Sequence, residues 1–235
     1  MKLLYRRILI VALFAVAMGY LESAVVVYLR EIMYPEGFGF PLSPIDPDLA
    51  LTEVLREMAT LIMLVTVAIL AGNSFSQRFA WFIFSFAIWD IFYYIFLWAL
   101  IGWPESLLTW DILFLIPLTW AGPVVAPLIL TFFMIGFALI ILRYAEKGIF
   151  AALSVIEWAG LVVGSLTVVI AFVTDYMRHM MSKFSFGEVL NISDAAVAAH
   201  AQSYVPGSFP WFIYLLGVVI IAASIIMYYL RLKRK

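Results

Sequence analysis

Asp90 is an acidic residue in the middle of an apolar, strongly aromatic segment, 80–101, which is long enough to cross a membrane. A carboxyl group is costly inside a bilayer, so an acid in such a place usually marks a functional site. Tyr93 and Tyr94 follow Asp90 by about one helical turn, and their hydroxyl groups can donate hydrogen bonds to its carboxylate. We therefore predict that Asp90 is the centre of the functional site.

Four further charged residues interrupt or begin apolar segments: Glu22, Arg56, Glu57 and Asp111. A stripe of small residues at helical spacing leads up to Glu22, and such stripes are typical of helix–helix contacts, so Glu22 should face protein. At a rise of 1.5 Å per residue, Glu22 and Glu57 lie about 10 Å and 9 Å from the outer ends of their segments. We predict that these residues and Asp90 converge on one cavity open to the outside, with Asp111 at its rim.

Four acids and one arginine in a cavity suit the binding of positive charge. They would attract a cation or hold protons, because burial disfavours the ionised form of a carboxyl group. Oxygen ligands alone favour hard cations such as calcium, magnesium or sodium. The alternative is that Arg56 pairs with Glu22 or Asp90 and only holds helices together. Glu157 is also expected to face inward, but it lies near the opposite end and is predicted to be separate.

The composition indicates the class of protein in which this site lies. Of the 235 residues, 66% are hydrophobic and 12% are charged, against about 25% charged in ordinary soluble domains. Zero cysteines exclude disulfides, thiolate metal sites and iron–sulfur clusters. His179 and His200 are both placed in a predicted loop, where we expect them to be exposed to solvent and not metal ligands, and this excludes a bis-histidine haem within the membrane. No basic stripe is present for nucleic acid, and no cofactor is evident besides a possible hard cation or protons.

Hydropathy predicts an all-α integral membrane protein, a six-transmembrane-helix bundle that forms one domain over 1–235. The apolar run 111–142 would reach about 48 Å as one helix, which is too long for a hydrocarbon core of about 30 Å. We therefore predict a break at Gly122-Pro123 and a short half-inserted or interfacial helix over 107–120. A short helix with Ser193 or Asp194 as its cap is predicted within the last long loop. The predicted spans are 8–29, 51–72, 80–101, 123–142, 151–172 and 211–230, with outward loops at 30–50 and 173–210.

Positive charge assigns the sides of the membrane. Six spans place both termini on one side, together with ten of the fourteen lysines and arginines. The positive-inside rule then predicts a multi-pass protein of the cell (inner) membrane with cytoplasmic termini.

Three classes of function follow. The first is the binding or transport of a cation or protons, which the predicted break favours because discontinuous segments line transporter sites. The second is a non-catalytic subunit or scaffold of a larger membrane complex, or a homo-oligomer. The third is a membrane-embedded enzyme that acts on a lipid or isoprenoid substrate through paired carboxylates. No nucleophile or dense metal motif supports the third, so an enzyme is the less favoured interpretation.

Overall fold

The structure, a computed structural model, describes residues 2–43, 47–116, 118–149, 152–190 and 194–234. Most of these residues are helical, and six of the helices are long and apolar enough to cross a membrane. This confirms the prediction of a mostly helical chain with six helices that could span a membrane. The six long helices are α1 (Lys2–Met33), α2 (Pro47–Ala71), α3 (Phe75–Ile101), α4 (Val125–Glu146), α5 (Val155–Met180) and α8 (Trp211–Lys233). The shorter elements are β1 (Trp110–Phe114), β2 (Trp120–Pro123), α6 (Phe186–Val189) and α7 (Ala195–Gln202).

Helix α3 occupies the centre of the bundle and packs against α1, α2 and α4, while α5 and α8 pack against each other. Small residues allow the closest approaches. A Cβ atom added at Gly19 of α1 would lie 3.0 Å from the Trp89 carbonyl oxygen of α3, and one at Gly217 of α8 would lie 2.8 Å from the Gly164 oxygen of α5. In a bilayer, helices associate through such close packing because lipid tails are as apolar as the side chains.

Residues from both ends of the chain meet at one end of the bundle. Leu4 and Leu232 belong to the same apolar cluster as Ile141 near the end of α4. We call this end the terminal face. The opposite end carries the two strands, and we call it the hairpin face.

The half-inserted helix predicted over 107–120 is not found among the described residues of that segment, and two strands that form a β-hairpin are found instead. Strands β1 and β2 are antiparallel, with Asp111 opposite Gly122. The Val124 N–H donates to the Thr109 carbonyl oxygen (3.0 Å), which closes the open end of the hairpin. Hydrophobicity cannot distinguish a short buried strand from a short helix, and this explains the error. The predicted break is nevertheless in the right place, since β2 ends at Pro123 and α4 begins at Val125.

Helix α5 begins and ends later than the predicted span 151–172; position 151 itself lies outside the described residues. It begins after Ser154, whose side chain accepts from the Glu157 N–H, while the Glu157 carboxylate accepts from the Ser154 N–H (2.7 Å). This reciprocal capping box stabilises the helix start. The helix continues to Met180, so part of the predicted loop 173–210 is helical. Asp194 caps α7 as predicted, whereas the alternative cap Ser193 lies outside the described residues.

Candidate functional site

A cavity of about 380 Å³ lies in the half of the bundle at the hairpin face. Its lining comes from helices α1 to α5, from the loop that follows α1 and from the hairpin. All seven residues predicted for the site line it: Glu22, Arg56, Glu57, Asp90, Tyr93, Tyr94 and Asp111. The structure therefore brings these residues together, as the depth argument required.

Arg56 is held by two acids on one side of the cavity. It forms ion pairs with Glu22 of α1 and with Glu53, one turn earlier in α2, where Nε lies 2.8 Å from Oε2. Thr60 donates a further hydrogen bond to Glu22, which is only 7% exposed. Arg56 thus pairs with Glu22, as the ion-pair alternative expected, and not with Asp90. Glu53 is missing from the predicted site, although its spacing of three residues from Arg56 could have indicated it.

Asp111 is paired with Arg30, which the sequence analysis placed at the start of a loop. The Arg30 Nη2 lies 3.4 Å from Asp111 Oδ1, and the Tyr94 hydroxyl donates to Asp111 Oδ2 (3.2 Å). Tyr94 therefore donates its hydrogen bond to Asp111 and not to Asp90, contrary to the prediction. Burial raises the pKa of Asp111 to about 6, although Arg30 and Tyr94 oppose this rise.

The Arg30 guanidinium group is fixed by aromatic rings as well as by Asp111. It lies 3.7 Å from the ring centre of Trp103 and 4.1 Å from that of Phe38. Such cation–π contacts stabilise a desolvated cation. The signal for this residue in the sequence was weak: an arginine at the end of an apolar segment, with its aromatic partners in two different loops.

Glu57 connects α2 to the hairpin. Both of its carboxylate oxygens accept from the Leu115 N–H, at distances of 3.2 and 3.1 Å. Leu115 directly follows β1, so its N–H is not used in the strand pairing. The carboxylate of Glu57 thus fixes the start of the connection between the two strands.

Asp90 has no hydrogen-bond or ion-pair partner within the described part of the chain. It lies near the middle of α3, is half-buried and lines the cavity. Arg56 and Arg30, the two arginines of the lining, are both engaged by other acids. The carboxylate of Asp90, which has no partner among the described residues, is therefore available to contact a ligand in the cavity.

An aromatic wall forms another part of the lining. The ring of Phe86 lies 6.2 Å from that of Phe114, which lies 5.7 Å from Trp120, and Trp120 stacks on Phe172 at 6.0 Å. Trp89, next to Asp90 in α3, contacts Phe86 at 5.1 Å. These five side chains make a continuous aromatic surface from α3 through the hairpin to α5, and we call it the aromatic wall.

Two polar groups lie outside this cavity. Glu157 is 1% exposed and forms a two-point ion pair with Arg231 (2.7 and 2.8 Å) near the terminal face, so it is separate from the site as predicted. His179 and His200 stack at 4.2 Å, and each Nε2 lies 2.9 Å from the other residue's carbonyl oxygen. His200 is buried by this contact, so its predicted exposure to solvent is wrong.

Among the described residues, no group of three or more histidines, cysteines, aspartates or glutamates is arranged to hold a metal ion. The site is thus a cavity with paired charges, one unpaired carboxyl group and an aromatic wall. Comparison of the chain with models of protein families gives no match, and neither does comparison with curated proteins or with solved structures.

Proposed function

We propose that this protein binds a cation or protons at Asp90, within a cavity of a six-span membrane bundle. The observation that carries the proposal is the missing partner of Asp90 in the described part of the chain. An ionised carboxyl group without a partner is costly in a bilayer. Asp90 therefore either holds a proton or faces a positively charged ligand.

The balance of charge in the cavity supports the same function. Among the described residues, five acids and two arginines line it: Glu22, Glu53, Glu57, Asp90 and Asp111, with Arg30 and Arg56. Both arginines are engaged, so neither is free to neutralise Asp90. Buried charges are normally paired, because their desolvation is otherwise uncompensated. The excess of acid makes a proton or a cation the ligand that this cavity accommodates best.

We further propose that the cavity opens on the outside of the cell (inner) membrane. Lysines and arginines concentrate at the terminal face, including Arg143, Lys147, Arg231 and Lys233. The positive-inside rule places that face in the cytoplasm. The hairpin face and the cavity beneath it would then be reached from outside, which suits uptake or sensing of an external cation or proton.

The test is the thermal stability of the purified full-length protein in detergent, for wild type and Asp90→Asn. The scan covers pH 6.5 to 9, above the pKa of Asp111, and includes sodium, potassium, magnesium and calcium. A ligand at ten times its Kd stabilises the native state by about 1.4 kcal/mol. For a chain of this length that is a rise of roughly 3–6 °C in Tm.

We expect the wild type to gain stability at lower pH or with one of the cations, and Asp90→Asn to lose that gain. Glu36→Gln is the matched control, since Glu36 is exposed and outside the cavity. If wild type and Asp90→Asn respond identically across the scan, Asp90 binds no positive charge and the proposal fails.

A further inference from the structure

The charged residues of the cavity lining, among the described residues, all come from one side of the bundle. Helices α1, α2 and α3 and the start of β1 contribute all of its acids and arginines among the described residues. Helix α4 contributes Pro127, Leu130, Thr131 and Met134, and α5 contributes Phe172. The cavity is thus amphipathic: charged and apolar residues mix on the side of α1, α2 and α3, whereas the described residues on the side of α4 and α5 carry no charge.

The volume of the cavity exceeds what a proton or a bare ion needs. Pockets that hold small organic molecules measure about 300–1,000 Å³ and are mostly apolar, with a few polar groups that fix orientation. A cavity of about 380 Å³ falls within this range. An inorganic cation at Asp90 would occupy only the charged part of the cavity. The space along the aromatic wall would then be filled poorly, because apolar cavities hold water poorly.

We propose that the cavity binds an amphipathic organic cation, with its ammonium group at Asp90 and its apolar part along the aromatic wall. This inference rests on the proposed binding of positive charge at Asp90. Trp89 and Trp120 both line the cavity, and a tryptophan ring attracts a cation that has lost part of its hydration shell. An anion would meet the carboxylate of Asp90 directly, and a neutral molecule would leave that carboxylate uncompensated.

The arginines of the cavity do not block such a ligand. The Arg30 guanidinium is enclosed by Trp103 and Phe38 and paired with Asp111. Arg56 is paired with Glu22 and Glu53. Both positive charges are therefore compensated locally, and the part of the cavity next to Asp90 keeps its negative character.

The experiment measures binding to the purified full-length protein in detergent, at fixed pH, by the rise in Tm with ligand concentration. The probes are 4-phenylbutylammonium, its neutral analogue 4-phenylbutanol, methylammonium, and sodium or calcium. We expect saturable binding of 4-phenylbutylammonium only, and a loss of at least tenfold in affinity for Asp90→Asn. Charge alone and an apolar group alone are each expected to be insufficient.

Variants of the aromatic wall separate this inference from the proposed function. Phe114→Leu should weaken 4-phenylbutylammonium binding at least threefold and leave the pH dependence of stability unchanged, and Phe86→Leu is the second variant if the first does not fold. Phe132→Leu is the matched control, because Phe132 lies outside the cavity lining and is 72% exposed.

The outcomes distinguish the proposed binding of positive charge at Asp90 from the binding of an amphipathic organic cation. If pH or an inorganic cation stabilises the protein through Asp90 but 4-phenylbutylammonium does not, the organic ligand is excluded and the proposed function stands. If 4-phenylbutanol binds as tightly as the ammonium compound, the cavity recognises only apolar groups and the inference is overturned. If neither pH, inorganic cations nor the ammonium compound acts through Asp90, both ideas fail.

Discussion

Replacing Arg56 by methionine should destabilise the protein far more than replacing Asp90 by asparagine. Arg56 forms ion pairs with Glu22 and Glu53, and Glu22 is only 7% exposed. Without Arg56, two acids in a poorly solvated place lose the charge that compensates them. Asp90 has no ion pair or hydrogen bond to lose within the described part of the chain, and asparagine has nearly the same shape.

The size of the difference follows from burial. Removing one partner of a fully buried ion pair costs about 3–5 kcal/mol. The Arg56 side chain is 23% exposed, so water compensates part of this loss and we expect about 2–4 kcal/mol. For 150–250 residues, 1 kcal/mol corresponds to about 2–4 °C in Tm, which gives a decrease of roughly 4–16 °C. Asp90→Asn should stay within about 1 kcal/mol of the wild type.

The assay is thermal unfolding in detergent at pH 7.5 without added ligand, and a double-mutant cycle isolates the ion pair. Glu22→Gln combined with Arg56→Met removes both charges, so the double variant should be less destabilised than the sum of the single variants. Arg56→Lys keeps the charge and is the control for side-chain packing. A decrease in Tm for Asp90→Asn as large as that for Arg56→Met would refute the reasoning, because Asp90 would then be a structural partner.

Two further predictions concern packing and pH. Gly217→Ala should lower the free energy of unfolding by about 1–3 kcal/mol, because the added Cβ would lie 2.8 Å from the Gly164 oxygen and steric overlap in a packed contact is destabilising. Gly136→Ala is the control, because a Cβ at Gly136 would meet nothing within 4 Å. In the same unfolding assay it should be neutral or stabilising by up to about 1 kcal/mol. Burial raises the pKa of Asp111 from 3.8 to about 6. Between these two values the native state holds a proton that the unfolded chain has lost. The free energy of unfolding should therefore fall by up to about 3 kcal/mol as pH rises from 4 to 6. Unfolding followed across this interval should show a flatter profile for Asp111→Asn; an unchanged profile would mean that another group titrates.

Hydropathy was sufficient to predict the six long apolar helices, because a helix that crosses lipid needs about 20 apolar residues whatever its neighbours are. It also supplied the depth of Glu22 and Glu57, since helical rise converts sequence position into height. The same rule explains why these residues and Asp90 line one cavity. What helical periodicity could not supply was the pairing among the charges, which depends on how the helices are rotated and on which loops fold over them.

Arg30 and the two histidines illustrate this limit. Two partners of Arg30, Trp103 and Asp111, are far from it in sequence, and the third, Phe38, lies in the loop after α1. His179 and His200 are 21 residues apart and meet only because α7 folds back on the end of α5. The contacts of Arg30 with Trp103 and Asp111 and the contact between the two histidines join distant positions and have no periodic signal, so a single sequence contains no local pattern from which they could be inferred.

The hairpin shows why the exact local structure matters to the site. In a helix over 107–120, the Leu115 N–H would donate to the carbonyl oxygen four residues earlier, at Asp111. In the hairpin, β1 ends at Phe114, so the Leu115 N–H is free to donate to the Glu57 carboxylate. Irregular backbone at membrane depth is tolerated only where protein or a cavity satisfies its polar groups. Glu57, which was predicted as part of the site, therefore satisfies a backbone N–H of the broken segment. The carboxylate of Asp90 has no such partner among the described residues and is available to a ligand in the cavity.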